Sequence, residues 1–224
     1  MLKSRFHNIN LSKFENVQRV IASKIILSDM FHKPLRRVAG VDVSFKNNFG
    51  CAASVILDIQ DMSIVDVSYA SGKVSVPYYP GFLGFREIQL SMKSIKKLNE
   101  WFDILLCNGH GIAHPRSCGL ASHIGVVLNS PTIGVALNPL KGFEYEEPSK
   151  DGESKPIFYS GRHVGYILRH HARYIFISPG NMVSLDSCLE IVRSCMDAHI
   201  LPEPLYLAHA LSKKYMNSLY PGLT

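Results

Sequence analysis

The feature that most constrains the fold of this chain is the order of its apolar runs. Three runs enriched in β-branched and aromatic residues follow one another over residues 37–45, 52–59 and 62–76, and the polar segment 46–50 separates the first two. Runs of this composition, joined by short polar turns, are typical of β-strands that pair with their neighbours in sequence. The sequence therefore predicts an antiparallel meander.

After the meander, helical and strand-like patterns alternate. Helices are predicted over residues 85–102 and 119–128, and each is followed by a short apolar strand, over 104–107 and 132–136. Strands that alternate with helices favour parallel pairing, because the helix carries the chain back to the starting end of the sheet. This order predicts an α/β, RNase H-like fold: a central mixed β-sheet, with an antiparallel meander plus parallel strands, flanked by helices.

The remaining patterns complete one domain. An amphipathic helix is predicted over residues 11–27, closing helices over 184–196 and 204–215, and a mobile surface loop over the polar stretch 138–155. Further strands are predicted over residues 156–159, 163–169 and 174–178. Because no repeat or linker divides the chain, we expect a single domain spanning residues 1–224.

Charge and composition restrict the classes of partner. The 224 residues include 24 Lys and Arg against 18 Asp and Glu, which gives a formal net charge of +6. A basic balance of this kind favours polyanionic partners such as nucleic acid. No run of about 20 apolar residues occurs, so we expect no membrane span.

The cysteines indicate the compartment. The five cysteines form no C-x-x-C pair and no zinc spacing, and their number is odd. With apolar neighbours, they are typical of reduced thiols inside a cell. Residues 1–5 also lack the apolar core of a signal peptide. We therefore expect a cytoplasmic protein.

Two polar residues stand where apolar strands are predicted to end. They are Asp42, in the run 38–45, and Asn108, after the run 105–107. An unpaired buried carboxylate is costly, so Asp42 requires a salt bridge, a backbone amide or a metal ion as a partner. Glu87, at the start of the next predicted helix, would complete a Mg²⁺ site if all three residues were carboxylates. The helix dipole equally explains an acid at that position, and Asn108 is an amide.

The segment 77–87 combines a stiff backbone with aromatic side chains. Pro77 and Pro80 flank Tyr78 and Tyr79. A flat ring inserted between two bases offsets the cost of unstacking them. The segment is therefore predicted to form a rigid hairpin that acts as a wedge in nucleic acid.

A glycine-rich loop, residues 109–116, follows the strand that precedes Asn108. Such a loop can bring backbone amides to a base or phosphate, and His114 can support proton transfer. Zinc bound by His110, His114 and His123 is an alternative, although no thiolate accompanies them. His209, one turn into the last predicted helix, is by itself equally compatible with a structural role.

Together these segments resemble endonuclease V, a nuclease family that acts on deaminated purines. The resemblance spans about Val38 to His209, and the joint order and spacing of its segments are specific. The matching segments are Val38–Ser44, Pro77–Gly81, Phe85–Glu87, Gly109–Arg116, Gly119–Gly125, Pro131–Ala136, Ser178–Gly180, Pro202–Pro204 and Ala208–His209.

The resemblance implies a Mg²⁺-dependent nuclease, with Mn²⁺ as a substitute. It implies cleavage of DNA, or of RNA, at the second phosphodiester on the 3′ side of inosine. Asp42, Glu87 and Asn108 are then the metal-binding residues. His209 would lie near the metal-bound water and His114 beside the scissile region. A monomer is expected.

The resemblance also implies how the lesion is held. Tyr78 is then the wedge, supported by Pro77, Tyr79 and Pro80. The residues that would enclose the flipped hypoxanthine are Gly81, Leu83, Gly109, Gly119 and Leu120. Flipping a base costs a few kcal/mol, and less when the inosine is mismatched or single-stranded.

Three positions depart from the family pattern. The family has an aspartate where this chain has Asn108, a lysine where it has Leu137, and Thr-Arg where it has Leu205-Tyr206. The first change removes the charge of one metal ligand, and the other two remove potential phosphate contacts. The sequence therefore favours a nuclease with weakened activity, and a binding protein for inosine-containing nucleic acid is the alternative. A small-molecule phosphohydrolase would leave the tyrosine wedge without a purpose.

Overall fold

The computed structural model describes residues 11–222 and places nine strands and five helices among them. The strands are β1 Arg37–Lys46, β2 Phe49–Asp58, β3 Ile64–Lys73, β4 Ile104–Asn108, β5 Thr132–Ala136, β6 Glu144–Tyr145, β7 Ser154–Tyr159, β8 Arg162–His170 and β9 Arg173–Asn181. The helices are α1 Leu11–Ala22, α2 Leu83–Ile95, α3 Leu120–Leu128, α4 Leu185–Ser194 and α5 Glu203–Leu219. The N-terminal segment that was judged to lack a signal peptide lies outside the described residues, as do both ends of the predicted domain.

The strands form one mixed sheet in the order β3-β2-β1-β4-β5-β9-β8-β7-β6. The pairs β1–β4 and β4–β5 are parallel, and every other pair among the described strands is antiparallel. The antiparallel meander β1-β2-β3 and the parallel strands beside it match the architecture that the sequence predicts. The predicted fold class is confirmed.

Alternating side chains of the central strands build a core on each face of the sheet. In β4, Ile104 and Leu106 pack with residues of α4 and α5, whereas Leu105 and Cys107 pack with residues of α2 and α3. This is the two-residue period of a strand that is buried on both faces. The sheet is therefore a middle layer between two layers of helices.

Helix α5 approaches β1 at backbone distance. A Cβ atom added at Gly40 would lie 2.2 Å from the carbonyl oxygen of Pro204, so only glycine fits at this position. The rigid Pro202-Glu203-Pro204 start fixes the helix in place, since a proline is well tolerated in the first helical turn. The contact aligns α5 along the part of β1 that carries Asp42.

Helices α1 and α2 end earlier than the sequence predicts. Beyond Ala22, the chain joins the segment after β9, where Ile26 donates to Asn181 Oδ1 at 3.1 Å and accepts from the Met182 N–H at 2.6 Å. Helix α2 ends at Ile95 instead of 102, and the backbone N–H groups of residues 99 and 100 donate to the Asp66 carboxylate at 2.6 and 3.2 Å. Partners from distant parts of the chain thus end both helices.

The polar stretch 138–155 is more regular than the mobile loop that was predicted. It contains the short strand β6, which pairs with β7, and β7 itself begins at Ser154. Tyr145 packs edge-on against Phe176, with ring centroids 5.4 Å apart. This aromatic contact attaches the segment to the sheet, although charged neighbours conceal it in the sequence.

Two composition-based expectations concern the cysteines and the membrane. All five cysteines are buried and free, as expected for reduced thiols. Among residues 11–222, no helix has the length and apolar character that crossing a bilayer requires.

Candidate active site

The register of β1 against β4 brings Asp42 and Asn108 together. Parallel pairing of these strands ends at Val41 opposite Cys107, and the next residue on each strand is the polar one. Asp42 is therefore not the end of β1, as the sequence suggested, because β1 continues to Lys46 in its pairing with β2. It is the first residue beyond the parallel ladder, where strands β1 and β4 diverge.

Asp42 is buried and accepts hydrogen bonds from three side chains. Asn108 Nδ2 donates to Oδ1 at 2.7 Å, while His209 Nδ1 and Ser212 Oγ lie 2.9 and 3.2 Å from Oδ2. Ser212 is also 2.7 Å from the hydroxyl of Ser44. These contacts provide the partners that a buried carboxylate requires.

Glu87 is the second buried carboxylate of the site. It lies in the second turn of α2, and the first turn contains no acid, so the helix dipole does not explain it. Burial raises the pKa of Glu87 well above its usual range, and the negative charge of Asp42 raises it further, while Arg86 lowers it. No side chain among residues 11–222 donates a hydrogen bond or forms an ion pair with its carboxylate.

Asp42, Glu87, Asn108 and His209 line one groove with a volume of about 670 Å³. Sequence reasoning missed two cations in it, Lys46 at the end of β1 and Lys213 on α5. The other lining residues are Val43, Ser44, Phe45, Leu83, Met216 and Asn217. A signal for Lys213 was available, because it lies four residues after His209 and thus on the same face of a helix.

The donor set of this groove suits Mg²⁺ or Mn²⁺, which prefer hard oxygen ligands. A cation between Asp42 and Glu87 would relieve the repulsion that raises the pKa of Glu87. Within residues 11–222, no three His, Cys, Asp or Glu side chains are grouped as metal ligands. The amide oxygen of Asn108 could supply a third protein oxygen, and only two of these three donors carry charge.

A second cavity of about 310 Å³ adjoins the groove, and we call it the base cavity. All five residues expected to enclose a base line it: Gly81, Leu83, Gly109, Gly119 and Leu120. The other lining residues are Gln18, Tyr78, Gly84, Asn108, His110, His114, Ala136, Leu137, Asn138, Pro139 and Leu140. Its volume is at the lower end of small-molecule sites, which span roughly 300–1,000 Å³. Leu83 and Asn108 belong to both spaces.

Backbone contacts shape the base cavity. A Cβ atom added at Gly119 would lie 2.1 Å from the carbonyl oxygen of His110 and 2.9 Å from that of Gly111. The Gly119 N–H donates to the Gly111 carbonyl at 2.9 Å. The start of α3 is thus pressed against the loop that follows β4, and no side chain fits between them.

His114 lies in the wall of the base cavity and is 3% exposed. Its Nε2 donates to the Gly81 carbonyl at 2.9 Å, and its Nδ1 accepts the Arg116 backbone N–H at 3.2 Å. Burial lowers the pKa of His114 to about 4. The ring is neutral at pH 7, and both nitrogens are engaged, so it holds the Gly81 turn and has no free atom for proton transfer.

The three histidines of the zinc alternative are used separately. His110 Nε2 donates to the Asn138 carbonyl at 3.0 Å, His114 holds Gly81, and His123 packs edge-on against Phe85 with ring centroids 5.3 Å apart. Burial lowers the pKa of each ring to about 4. The zinc interpretation was wrong, because the rings point to different partners.

The expected wedge lies at the rim of the base cavity. Tyr78 is 62% exposed and lines the cavity, whereas Tyr79 and Pro77 are half-buried and Pro80 is exposed. The segment is a loop between β3 and α2 and not the predicted hairpin. A large aromatic ring held in solvent beside a cavity is nevertheless available to contact a bound strand.

The other two departures from the family pattern lie away from the groove. Leu137 is 43% exposed and lines the base cavity. Leu205 is fully buried in the core, and Tyr206 stacks on His199 with ring centroids 3.3 Å apart. Leu205 and Tyr206 thus contribute packing, and Leu137 an exposed apolar surface, at positions where the family pattern has polar side chains.

Comparison with known proteins identifies relatives along nearly the whole chain. The family model for endonuclease V matches residues 19–210. Endonuclease V of Methanopyrus kandleri is 41% identical over 200 residues, which are 88% of this chain and 86% of that protein.

Solved structures of endonuclease V are also similar to this chain over nearly its whole length. Endonuclease V of Streptomyces avermitilis superposes with a TM-score of 0.87 at 33% identity, over 95% of each chain. Endonuclease V of Ciona intestinalis, in complex with a 24mer DNA containing an inosine followed by a ribo-adenosine, has a TM-score of 0.81 at 25% identity. That alignment covers 93% of this chain and 98% of the Ciona intestinalis chain.

Proposed function

The chain belongs to the endonuclease V family of nucleases, and from this premise we propose that it recognises inosine in nucleic acid and cleaves nearby. The proposed cut is the second phosphodiester on the 3′ side of the lesion. The substrate class is supported by the Ciona intestinalis relative, whose bound DNA contains an inosine.

The observation that supports the proposal most strongly is that the base cavity and the groove share lining residues. Leu83 and Asn108 line both. A flipped hypoxanthine in the first space would therefore leave its own strand running past the second. Tyr78 at the rim is placed to fill the gap that the flipped base leaves in the stack.

Asp42 and His209 form the pair that would handle the attacking water. A carboxylate only accepts hydrogen bonds, so His209 Nδ1 carries the proton that it donates to Asp42 Oδ2. In the neutral form of this ring the other nitrogen, Nε2, carries the lone pair, and the partly exposed ring lines the groove. An imidazole oriented by a carboxylate in this way can accept a proton from water.

The metal requirement is also part of the proposal. Asp42, Glu87 and Asn108 would hold Mg²⁺ or Mn²⁺ through oxygen atoms. A bound divalent ion would polarise the phosphate and lower the pKa of a coordinated water. The protein would contribute the position of the ion relative to the base cavity.

The proposal is tested by a cleavage assay, in which an end-labelled oligonucleotide with one inosine is incubated with stoichiometric protein and Mn²⁺ or Mg²⁺. We expect a nick at the second 3′ phosphodiester, and no nick when adenine replaces inosine. DNA and RNA versions of the strand establish the backbone preference. Equal cutting of the inosine and adenine strands would overturn the proposal.

A second candidate function is recognition of inosine with little cleavage. It is favoured by the 2.7 Å hydrogen bond from Asn108 Nδ2 to Asp42 Oδ1. The Asn108 amide donates a hydrogen bond to Asp42. An aspartate at position 108 would instead repel Asp42, and a cation between the two carboxylates would be required. Substrate binding without a nick in the same assay would support this candidate.

Asn108→Asp separates the two candidates. The added carboxylate restores a charged ligand, so we expect Mg²⁺-dependent cleavage to rise at least about tenfold, or roughly 1.4 kcal/mol of barrier. Affinity for the inosine strand without metal should stay similar or fall slightly, because the new charge faces phosphate.

Asn217→Asp is the matched control for this variant, since it adds the same charge to the same groove. It should not raise cleavage. An unchanged rate in Asn108→Asp would show that residue 108 is not a metal ligand.

The proposal also covers the cellular compartment and the oligomeric state. We propose that the protein is a cytoplasmic monomer, and the five free cysteines support the reducing compartment. Size-exclusion chromatography with light scattering measures the oligomeric state, and a stable dimer would contradict this part.

A further inference from the structure

Lys213 is a cation in the groove that has no partner among residues 11–222. Its side chain is exposed and lines the groove beside Asp42, Asn108 and His209. It takes part in no hydrogen bond, ion pair or ring contact with any of residues 11–222. Lys46, by contrast, donates to the Tyr220 carbonyl at 3.2 Å. Lys213 is thus the lysine of this groove that is free to bind an anion.

Asn108 changes the charge balance of the groove. Two lysines, Lys46 and Lys213, line the groove together with two carboxylates, Asp42 and Glu87, so the lysines at least balance the carboxylates. An aspartate at position 108 would add a negative charge to this groove, and that charge would repel a phosphodiester while no cation is bound. The amide removes this repulsion.

The position of Lys213 also bears on a phosphate contact that the sequence seemed to have lost. Leu137 stands where the family pattern has lysine, and it lines the base cavity and not the groove. Lys213 brings a positive charge into the groove from α5. It lies one helical turn beyond His209 and thus next to the proposed general base.

We propose that Lys213 binds the phosphodiester of an inosine-containing strand in this groove, and that this binding does not require a divalent metal. The proposal rests on the proposed function, which supplies the strand. It makes Lys213 a substrate-binding residue, and it explains how the chain holds its substrate with one metal-ligand charge fewer.

The experiment measures binding of a fluorescent single-stranded inosine oligonucleotide in EDTA, for wild type, Lys213→Gln and Lys214→Gln. The control is closely matched, because Lys214 is the next residue, is also exposed, and does not line the groove. We expect Lys213→Gln to weaken binding about tenfold, the scale of one charge-assisted hydrogen bond. Lys214→Gln should weaken it less than about twofold, the scale of an exposed surface charge.

Salt dependence provides a second readout that a structural defect would not produce. Loss of one phosphate contact should reduce the slope of log affinity against log salt by about 0.7 for a single strand. Lys213→Arg should keep both the affinity and the slope. Equal losses in Lys213→Gln and Lys214→Gln, or wild-type binding that vanishes in EDTA, would overturn the proposal.

Failure of the proposed function gives a different result. Wild-type protein would then bind inosine and adenine strands equally well. The difference between the Lys213 and Lys214 variants, measured on either strand, would still decide whether Lys213 binds phosphate.

Discussion

The two spaces that meet at Leu83 and Asn108 are built in different ways. The base cavity is shaped by backbone contacts, such as the one between Gly119 and the His110 carbonyl, and its histidines are neutral. The groove is built around the Asp42 carboxylate, which accepts hydrogen bonds from three side chains, and it is also lined by Glu87, Lys46 and Lys213. A single substitution changes a shape made by backbone only where it adds atoms between the backbone segments, whereas a balance of charges changes with any gain or loss of a charge. We therefore expect a change at position 108 to alter the proposed chemistry more than the proposed recognition.

Gly119→Ala should have the largest effect, and it should act on the base cavity alone. The new methyl group overlaps the His110 carbonyl, which is backbone and cannot rotate away. We expect a loss of unfolding free energy at the upper end of roughly 1–3 kcal/mol, together with loss of discrimination between inosine and adenine. Urea unfolding and competitive binding measure the two effects.

Gly72→Ala is the control for this variant, because the nearest atom to its new methyl group is a leucine carbon at 3.6 Å, an ordinary contact. If Gly119→Ala proved as stable as Gly72→Ala and still preferred inosine, the base cavity would not be shaped by backbone contact.

Tyr78→Ala should have the next largest effect, and it tests the rim. Loss of one base–aromatic stack should weaken binding to inosine DNA by roughly 1–3 kcal/mol. Binding to undamaged duplex should change less, because it depends mainly on basic side chains and is salt-sensitive. Binding titrations of both DNAs at one salt concentration measure the difference. Equal losses of affinity for the two DNAs would show that Tyr78 is only a packing residue.

The pH dependence of stability should also divide the two regions. Burial lowers the pKa of His123 from 6.5 to about 4. Below about pH 6.5 His123 becomes protonated in the unfolded chain, whereas in the folded chain it stays neutral down to about pH 4. The folded state therefore loses stability as the pH falls across this interval. At pH 5 this ring costs about 2 kcal/mol relative to pH 7.5, because one pKa unit corresponds to about 1.4 kcal/mol.

His123→Leu should therefore remove about 2 kcal/mol of the decline in unfolding free energy between pH 7.5 and 5. The decline that remains includes the contributions of His110 and His114, whose pKa values are also lowered to about 4. Urea unfolding at the two pH values measures it, with His32→Leu, which removes an exposed histidine, as the control. An identical decline in wild type and both variants would mean that His123 titrates alike in the folded and unfolded chain.

The sequence predicted what depends on local pattern. Strand β5 was predicted at its observed bounds, and Asp42 and Asn108 were placed together because each follows an apolar strand. The ends of α1 and α2 were missed because they are set by Asn181 and Asp66, which lie far from them in the chain. Such endings cannot be read from the residues of the helix itself.

The candidate site shows the same division. The five residues that were expected to enclose a base all line the base cavity, because motifs keep their order and spacing along the chain. Gln18 and residues 136–140 also line it, and they were not anticipated there. Lys213 was missed because it belongs to no motif and gains significance only when α5 lies across β1. The assignment of His114 to proton transfer overlooked its two local partners, Gly81 and Arg116, which become visible only in the folded loop.

The close contact between Gly40 and Pro204 joins an early strand to the last helix of the described chain. Helix α5 follows every strand of the described chain, and it carries His209 and Lys213. A chain whose synthesis has stopped before residue 209 contains Asp42, Asn108 and the residues that line the base cavity, but it lacks the proposed base and the proposed phosphate-binding lysine. The groove is therefore completed only when the last helix has been made.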